Sequence, residues 1–307
     1  MEMEMKMTAL QEEIRRLAGE RKAIILAHNY TRAEVQDVAD FVGDSLELSR
    51  KAAECKAPVI VFCGVRFMAE TAKVLSPDAV VLHPNPDAGC PMADMANPEA
   101  VAAWREKHPR ALVMAYVNTT AATKTKVDVC CTSGNAEALV AGLPKAQRVL
   151  FVPDQNLGSN VAQKLGRELE LWPGFCPTHN RIMPKQIMAA KEAHPEAVVM
   201  VHPECTPAVV ALADQALSTG GMLKFVREST AKEFVVGTEC GLLHRLRQEN
   251  PDKVFYPLEP EVICPNMKKI TLEDVRDALV NMAPRVELDA ETIAGARRPI
   301  DRMLAGR

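Results

Sequence analysis

No apolar run in this sequence approaches the roughly 18 residues needed to span a bilayer; the strongest, 57–64, has the length of one strand. The opening Met1-Glu2-Met3-Glu4-Met5-Lys6 is charged and lacks the apolar stretch of a secretory signal. There is no basic run: 37 Lys and Arg lie scattered among 40 Asp and Glu, for a formal net charge of −3. Neither a membrane nor a nucleic acid is an expected partner, and a cytoplasmic location is expected. Walker and dinucleotide-binding patterns are missing, so no nicotinamide or flavin cofactor is indicated. No Cys-x-x-Cys pair occurs, which argues against an ordinary four-ligand structural zinc site.

What is present is the composition of a protein with a sizeable core: 48% hydrophobic and 25% charged, over 307 residues that accommodate two or three domains. Nine cysteines in a reducing compartment serve as core fillers, metal ligands or reactive groups rather than as a disulfide framework.

Buried strands are predicted at 23–28, 58–64, 79–83, 111–118, 148–153, 197–202, 233–237 and 253–256, with a shorter candidate at 170–172. Helical patterns lie between them, among others at 32–41, 45–55, 160–168 and 242–249, and two more close the chain at 272–282 and 290–304. This alternation predicts an α/β fold with parallel sheets covered on both faces.

The chain also repeats itself. His28, Tyr116 and His202 stand at strand ends, at intervals of 88 and 86 residues. Hydroxyl-bearing turns follow at Asp44-Ser45, Thr132-Ser133 and Ser218-Thr219, again 88 and 86 apart. Each unit closes on a cysteine followed by proline, at Cys90, Cys176 and Cys264, 86 and 88 apart. Three similar α/β units follow: residues 1–100 together with 270–307, then 101–186, then 187–269, with the C-terminal helices packed back on the first. Ligands of parallel α/β units collect at the carboxyl ends of strands. Three such ends about a pseudo-threefold axis create one shared central site.

Three thiols brought to that axis would bind Zn²⁺ or an iron–sulfur cluster. A [4Fe–4S] cube on three cysteines leaves one iron open to water or substrate, as a Lewis acid. Cys55, Cys63 and the adjacent Cys130-Cys131 read as filler; Cys205 adjoins the site without being read as a ligand, and Cys240 has no counterpart in the other units. His28, Tyr116, His202 and Glu204 are suited to proton transfer, with Glu204 the general-base candidate. Ser45, Ser133 and Thr219, at helix starts, suit an anionic substrate carrying several carboxylates or phosphates.

The segments that carry these landmarks resemble the quinolinate synthase family of NAD biosynthesis. The matching pieces are Ile25-Leu26-Ala27-His28-Asn29-Tyr30, Gly43-Asp44-Ser45, Gly89-Cys90-Pro91-Met92-Ala93, Tyr116-Val117-Asn118, Cys131-Thr132-Ser133, Asp154-Gln155-Asn156-Leu157-Gly158, Cys176-Pro177-Thr178-His179, His202-Pro203-Glu204-Cys205, Ser218-Thr219-Gly220 and Asn266-Met267-Lys268-Lys269. The resemblance implies three Rossmann-like αβα domains about a pseudo-threefold axis. It further implies one [4Fe–4S] cluster on Cys90, Cys176 and Cys264, and condensation of iminoaspartate with dihydroxyacetone phosphate to quinolinate, phosphate and water. Substrate contacts would come from His28, Ser45, Tyr116, Val117, Asn118, Ser133, His202, Pro203, Glu204 and Thr219. Handover of the unstable iminoaspartate from the enzyme that makes it is a further implication. Other readings of the bare residues are an iron–sulfur hydro-lyase acting on one hydroxy acid, a metal or redox sensor, and a structural zinc protein.

Overall fold

The computed structural model describes residues 7–306. Twelve strands are β1 (Ala23–His28), β2 (Phe41–Gly43), β3 (Val59–Cys63), β4 (Val80–Leu82), β5 (Leu112–Tyr116), β6 (Val129–Cys131), β7 (Val149–Val152), β8 (Glu170–Leu171), β9 (Val198–Val201), β10 (Gln215–Ala216), β11 (Glu233–Gly237) and β12 (Val254–Pro257). They form three four-stranded sheets of orders β2-β1-β3-β4, β6-β5-β7-β8 and β10-β9-β11-β12. The order is the same each time, second-first-third-fourth, and every pairing is parallel. Parallel neighbours require crossover connections, which the intervening helices provide. Three Rossmann-like αβα units result: the alternation predicted the parallel α/β architecture, the repeat its three copies and the resemblance its Rossmann-like form. Their central strands are mostly apolar because both faces are covered: β3 and β7 are buried along their whole length.

The short edge strands β2, β6 and β10 escape prediction. The helix expected over 32–41 stops accordingly at Val38, and the chain turns into β2. An aspartate makes that turn in each unit. The Asp40 carboxylate accepts from Ile25 N at 2.7 Å, Asp128 from Val113 N at 2.8 Å, and Asp214 from Val199 N at 2.8 Å. Each aspartate N–H also bonds the carbonyl of that same residue. These carboxylates satisfy groups at the start of the first strand that the short edge strand does not reach. They share the 88 and 86 intervals of the other landmarks.

One apolar cluster runs through all three units, drawing Phe62, Phe151 and Phe234 from the three sheets. A second lies between the first sheet and the helices Ala9–Arg21 and Leu272–Asn281. The last helix, Ala290–Leu304, behaves differently from its expected packing on the first unit alone. Its Arg297 bonds Leu75 O, its Met303 O accepts from Asn135, and its Arg302 bonds Asp128 O. It therefore straddles the first and second units, burying Ala296, Ile300 and Met303. Among the described residues no helix is long and apolar enough to cross a membrane.

Candidate active site

The carboxyl ends of the three sheets open on one cavity of about 220 Å³. His28, Ser45, Tyr116, Asn118, Ser133, His202, Glu204, Thr219 and the three repeat cysteines all line it. Val117 and Pro203 do not. They sit buried behind the wall, where their carbonyls accept from Lys124 Nζ (2.7 Å) and Asn160 Nδ2 (2.9 Å). Cys205 is also turned away, into the core of the third unit. Cys63, Cys130 and Cys131 are fully buried in the core.

Cys90, Cys176 and Cys264 are the only cysteines in the cavity wall among the described residues. Burial pushes the Cys90 thiol up to about 12, and it raises Cys176 and Cys264 as well. Opposing burial, the turn after each cysteine brings backbone N–H groups near the sulfur, among them those of Ala93, His179 and Met267, while Ala93 N itself bonds Cys90 O at 2.9 Å. Proline after each cysteine starts that turn. Such donors suit sulfur that carries negative charge, and they are a known lever on iron–sulfur centres. Three half-buried cysteines on the cavity wall, with no fourth beside them, fit a cubic cluster with one iron lacking thiolate.

His28 and His202 repeat one local geometry. Nδ1 of each accepts from the backbone N–H two residues on, Tyr30 at 3.1 Å and Glu204 at 3.3 Å. A backbone N–H can only donate, so the proton of each neutral ring is on Nε2. Burial lowers both to about 3, with His202 adding to the effect on His28 and Glu204 opposing it in both cases. The two rings are neutral donors at physiological pH.

Glu204 is 4% exposed, and burial alone would raise its pKa. His202, His179 and the Tyr116 hydroxyl outweigh burial and hold it below the usual carboxylate range. Since His202 is itself uncharged, the depression is assigned to the hydrogen bonds. The Tyr116 hydroxyl donates to Oε1, and His179 Nδ1 lies 2.8 Å from Oε2. Burial, followed by the Glu204 charge, raises Tyr116 well above 10.

His179, Tyr30 and Thr238 are functional candidates that the repeat did not single out. His179 Nδ1 is 3.3 Å from Cys176 Sγ, and its Nε2 is 2.8 Å from Thr238 Oγ1, which the Tyr30 hydroxyl meets at 2.5 Å. A continuous chain of hydrogen bonds thus runs from Tyr30 through Thr238 and His179 to Glu204. The positions equivalent to His179 are Ala93 and Met267, so no repeat marks it. Its only sequence signal is its place inside the Cys176-Pro177-Thr178-His179 segment.

Two of the three hydroxyl turns start helices as expected, but Ser133 does not, since the helix of the second unit begins only at Ala136, behind Asn135. Asp44 caps the helix Ser45–Glu54, Ser218 caps Thr219–Glu228, and Thr132 Oγ1 accepts from Gly134 N at 3.2 Å. Arg181 is the one Lys or Arg side chain lining the cavity among the described residues, and it is exposed at the rim. The polar lining of the interior is therefore made mainly of hydroxyls and N–H dipoles rather than of fixed cations.

Lys124 supports this wall from behind. Fully buried, it donates to Val117 O and Thr119 O and fixes the turn that carries Asn118, whose buried Oδ1 has no protein partner among the described residues. Replacing Lys124 by Met strands two carbonyls and is expected to cost about 2–4 kcal/mol in denaturant unfolding. Burial lowers the lysine to about 8 from its ordinary 10.5. The folded state thus disfavours its charge, a cost fully present below pH 8 and relieved as pH rises toward 10.5. The stability gap between wild type and Lys124→Met is expected to widen over that interval.

Comparison with known proteins agrees with this geometry. The sequence model of the quinolinate synthetase A protein family (NadA) matches residues 12–305. The quinolinate synthase of Geobacter metallireducens is 51% identical over 98% of this chain and 99% of its own length. That of Methanoregula boonei is 52% identical over 96% and 98%, and that of Thermodesulfovibrio yellowstonii 51% identical over 95% and 97%. With a match of this extent over three repeated αβα units that share one cysteine-lined cavity, the chain belongs to the quinolinate synthetase A family.

Proposed function

We propose that the protein is a quinolinate synthase that condenses iminoaspartate with dihydroxyacetone phosphate, releasing phosphate and water, with a [4Fe–4S] cluster held by Cys90, Cys176 and Cys264. The observation that carries this reading is the convergence of one cysteine from each unit on a cavity that also holds an ionised carboxylate and three hydroxyl turns. When bound, the cluster supplies an iron without thiolate, a Lewis acid for nitrogen and carboxylate ligands.

The chain's own residues supply the remainder. Ser45 and Thr219, at the first positions of their helices, offer hydroxyls and free N–H groups to carboxylate or phosphate. Ser133 does so on the turn of the second unit. The Nε2–H groups of His28 and His202 donate to carbonyl and hydroxyl oxygens. Glu204, ionised, accepts the proton lost when the carbon of iminoaspartate becomes a nucleophile, and it returns a proton to a departing hydroxyl. Its low pKa makes it a weak base while Tyr116 donates to it. When substrate oxygen takes over the Tyr116 hydroxyl, the carboxylate loses that donor and becomes more basic.

Anaerobic incubation of the iron-loaded protein with iminoaspartate and dihydroxyacetone phosphate is expected to yield quinolinate, read by chromatography. An iron-loaded chain that releases none, or that dehydrates a single hydroxy acid instead, overturns the reading.

A further inference from the structure

Glu239 has no part in the chemistry above, yet it is fully buried at the end of β11 beside the cavity. Its carboxylate gathers donors from two segments. Oε1 takes Lys268 Nζ at 2.9 Å and Cys264 N at 3.2 Å, and Oε2 takes Gly241 N at 2.7 Å. Lys268 Nζ then donates across to the first unit, to Tyr30 O at 2.6 Å. Two residues on, Arg32 holds that lysine's own backbone, its Nε bonding Lys268 O at 2.7 Å. Tyr30 is consequently gripped at both ends by neighbouring residues of one turn. Thr238 holds its hydroxyl, and Glu239 holds its carbonyl through Lys268. Room for the lysine depends on Gly241, where a Cβ would stand 2.6 Å from Nζ and 2.8 Å from Glu239 Oε2.

A buried ion pair is a poor source of net stability, because desolvation offsets most of its attraction. What it does well is fix register, since the charges are tolerated only when every donor and acceptor is in place. We propose that Glu239 and Lys268 are positioning residues that tie the Cys264 loop to the Tyr30 turn, so that retention of metal at Cys264 and placement of Tyr30 over the cavity stand or fall together. The proposal rests on the cluster reading given above.

The test compares holoprotein variants in their rate of iron loss to a ferrous chelator, and in KM and kcat for quinolinate formation. Lys268→Met is expected to release iron about 10-fold faster, the scale of losing a group that orients a metal ligand, and to raise KM through Tyr30. Lys268→Arg should restore part of both. Asp37→Asn is the control. It breaks a different tie between the same two units, the 2.7 Å contact of Asp37 with His244, well outside the cavity wall. Should Lys268→Met fail to fold, Glu239→Gln keeps the shape of the carboxylate and carries the same expectation. Iron loss at the wild-type rate in these variants, or equal acceleration in Asp37→Asn, overturns the tie. A wild-type chain that takes up no iron overturns the cluster reading itself, and the tie with it.

Discussion

Glu204→Gln is expected to lower kcat by about three orders of magnitude while KM and iron content stay near wild type, the scale of removing a positioned general base. Glutamine keeps the shape of the side chain but offers no basic oxygen pair. The surrounding bonds survive the change. With an amide facing His179, the ring carries its proton on Nε2, donates to Thr238 and accepts at Nδ1, which reverses the direction of donation from Tyr30 inward. Because the network is re-satisfied, the fold loses little. Anaerobic kinetics with parallel iron analysis separate the outcomes. A variant of full activity removes Glu204 from the chemistry, and one that also loses its iron makes Glu204 a support of the metal instead.

The second large effect concerns the thiols. Cys176→Ser is expected to cost the protein most of its iron and its sulfur-to-iron absorption. A serine hydroxyl next to Glu204 does not ionise, and iron–sulfur clusters are held by thiolate. Cys176 is the most demanding of the three to replace, since His179 Nδ1 lies 3.3 Å from its sulfur and Glu204 is the chief neighbouring charge acting on it. Cys205→Ser makes the contrast. That residue is fully buried in the core of the third unit, so the variant is expected to keep its iron and lose only about 1–3 kcal/mol of stability from a buried hydroxyl. Iron retained in Cys176→Ser, or lost equally in Cys205→Ser, would remove the cluster from the cavity described here.

The repeat explains why so much of the site is legible in the sequence. His28 and His202 accept from a backbone N–H two residues on, and Asp44 and Ser218 cap the helices that follow them. Such short-range geometry is set by neighbouring dihedrals. A unit that recurs with the same residues recurs with the same bonds, and one count along the chain finds all three copies. Asp40, Asp128 and Asp214 obey the same count, and their role in turning the chain into β2, β6 and β10 was available to it.

Features that occur once are a different matter. Tyr30 meets Thr238 and Lys268 from more than two hundred positions away, and His179 reaches Glu204 from a neighbouring unit of the chain. No periodicity marks such contacts, because they come from the way three nearly equivalent units face one another with unlike side chains. Sequence alone therefore determined the three αβα units, the three cysteines and the polar groups in phase with them, through local bonds that repeat. Only the tertiary structure decided which histidine meets Glu204 and where Tyr30 is held, since long-range packing is what breaks the threefold likeness.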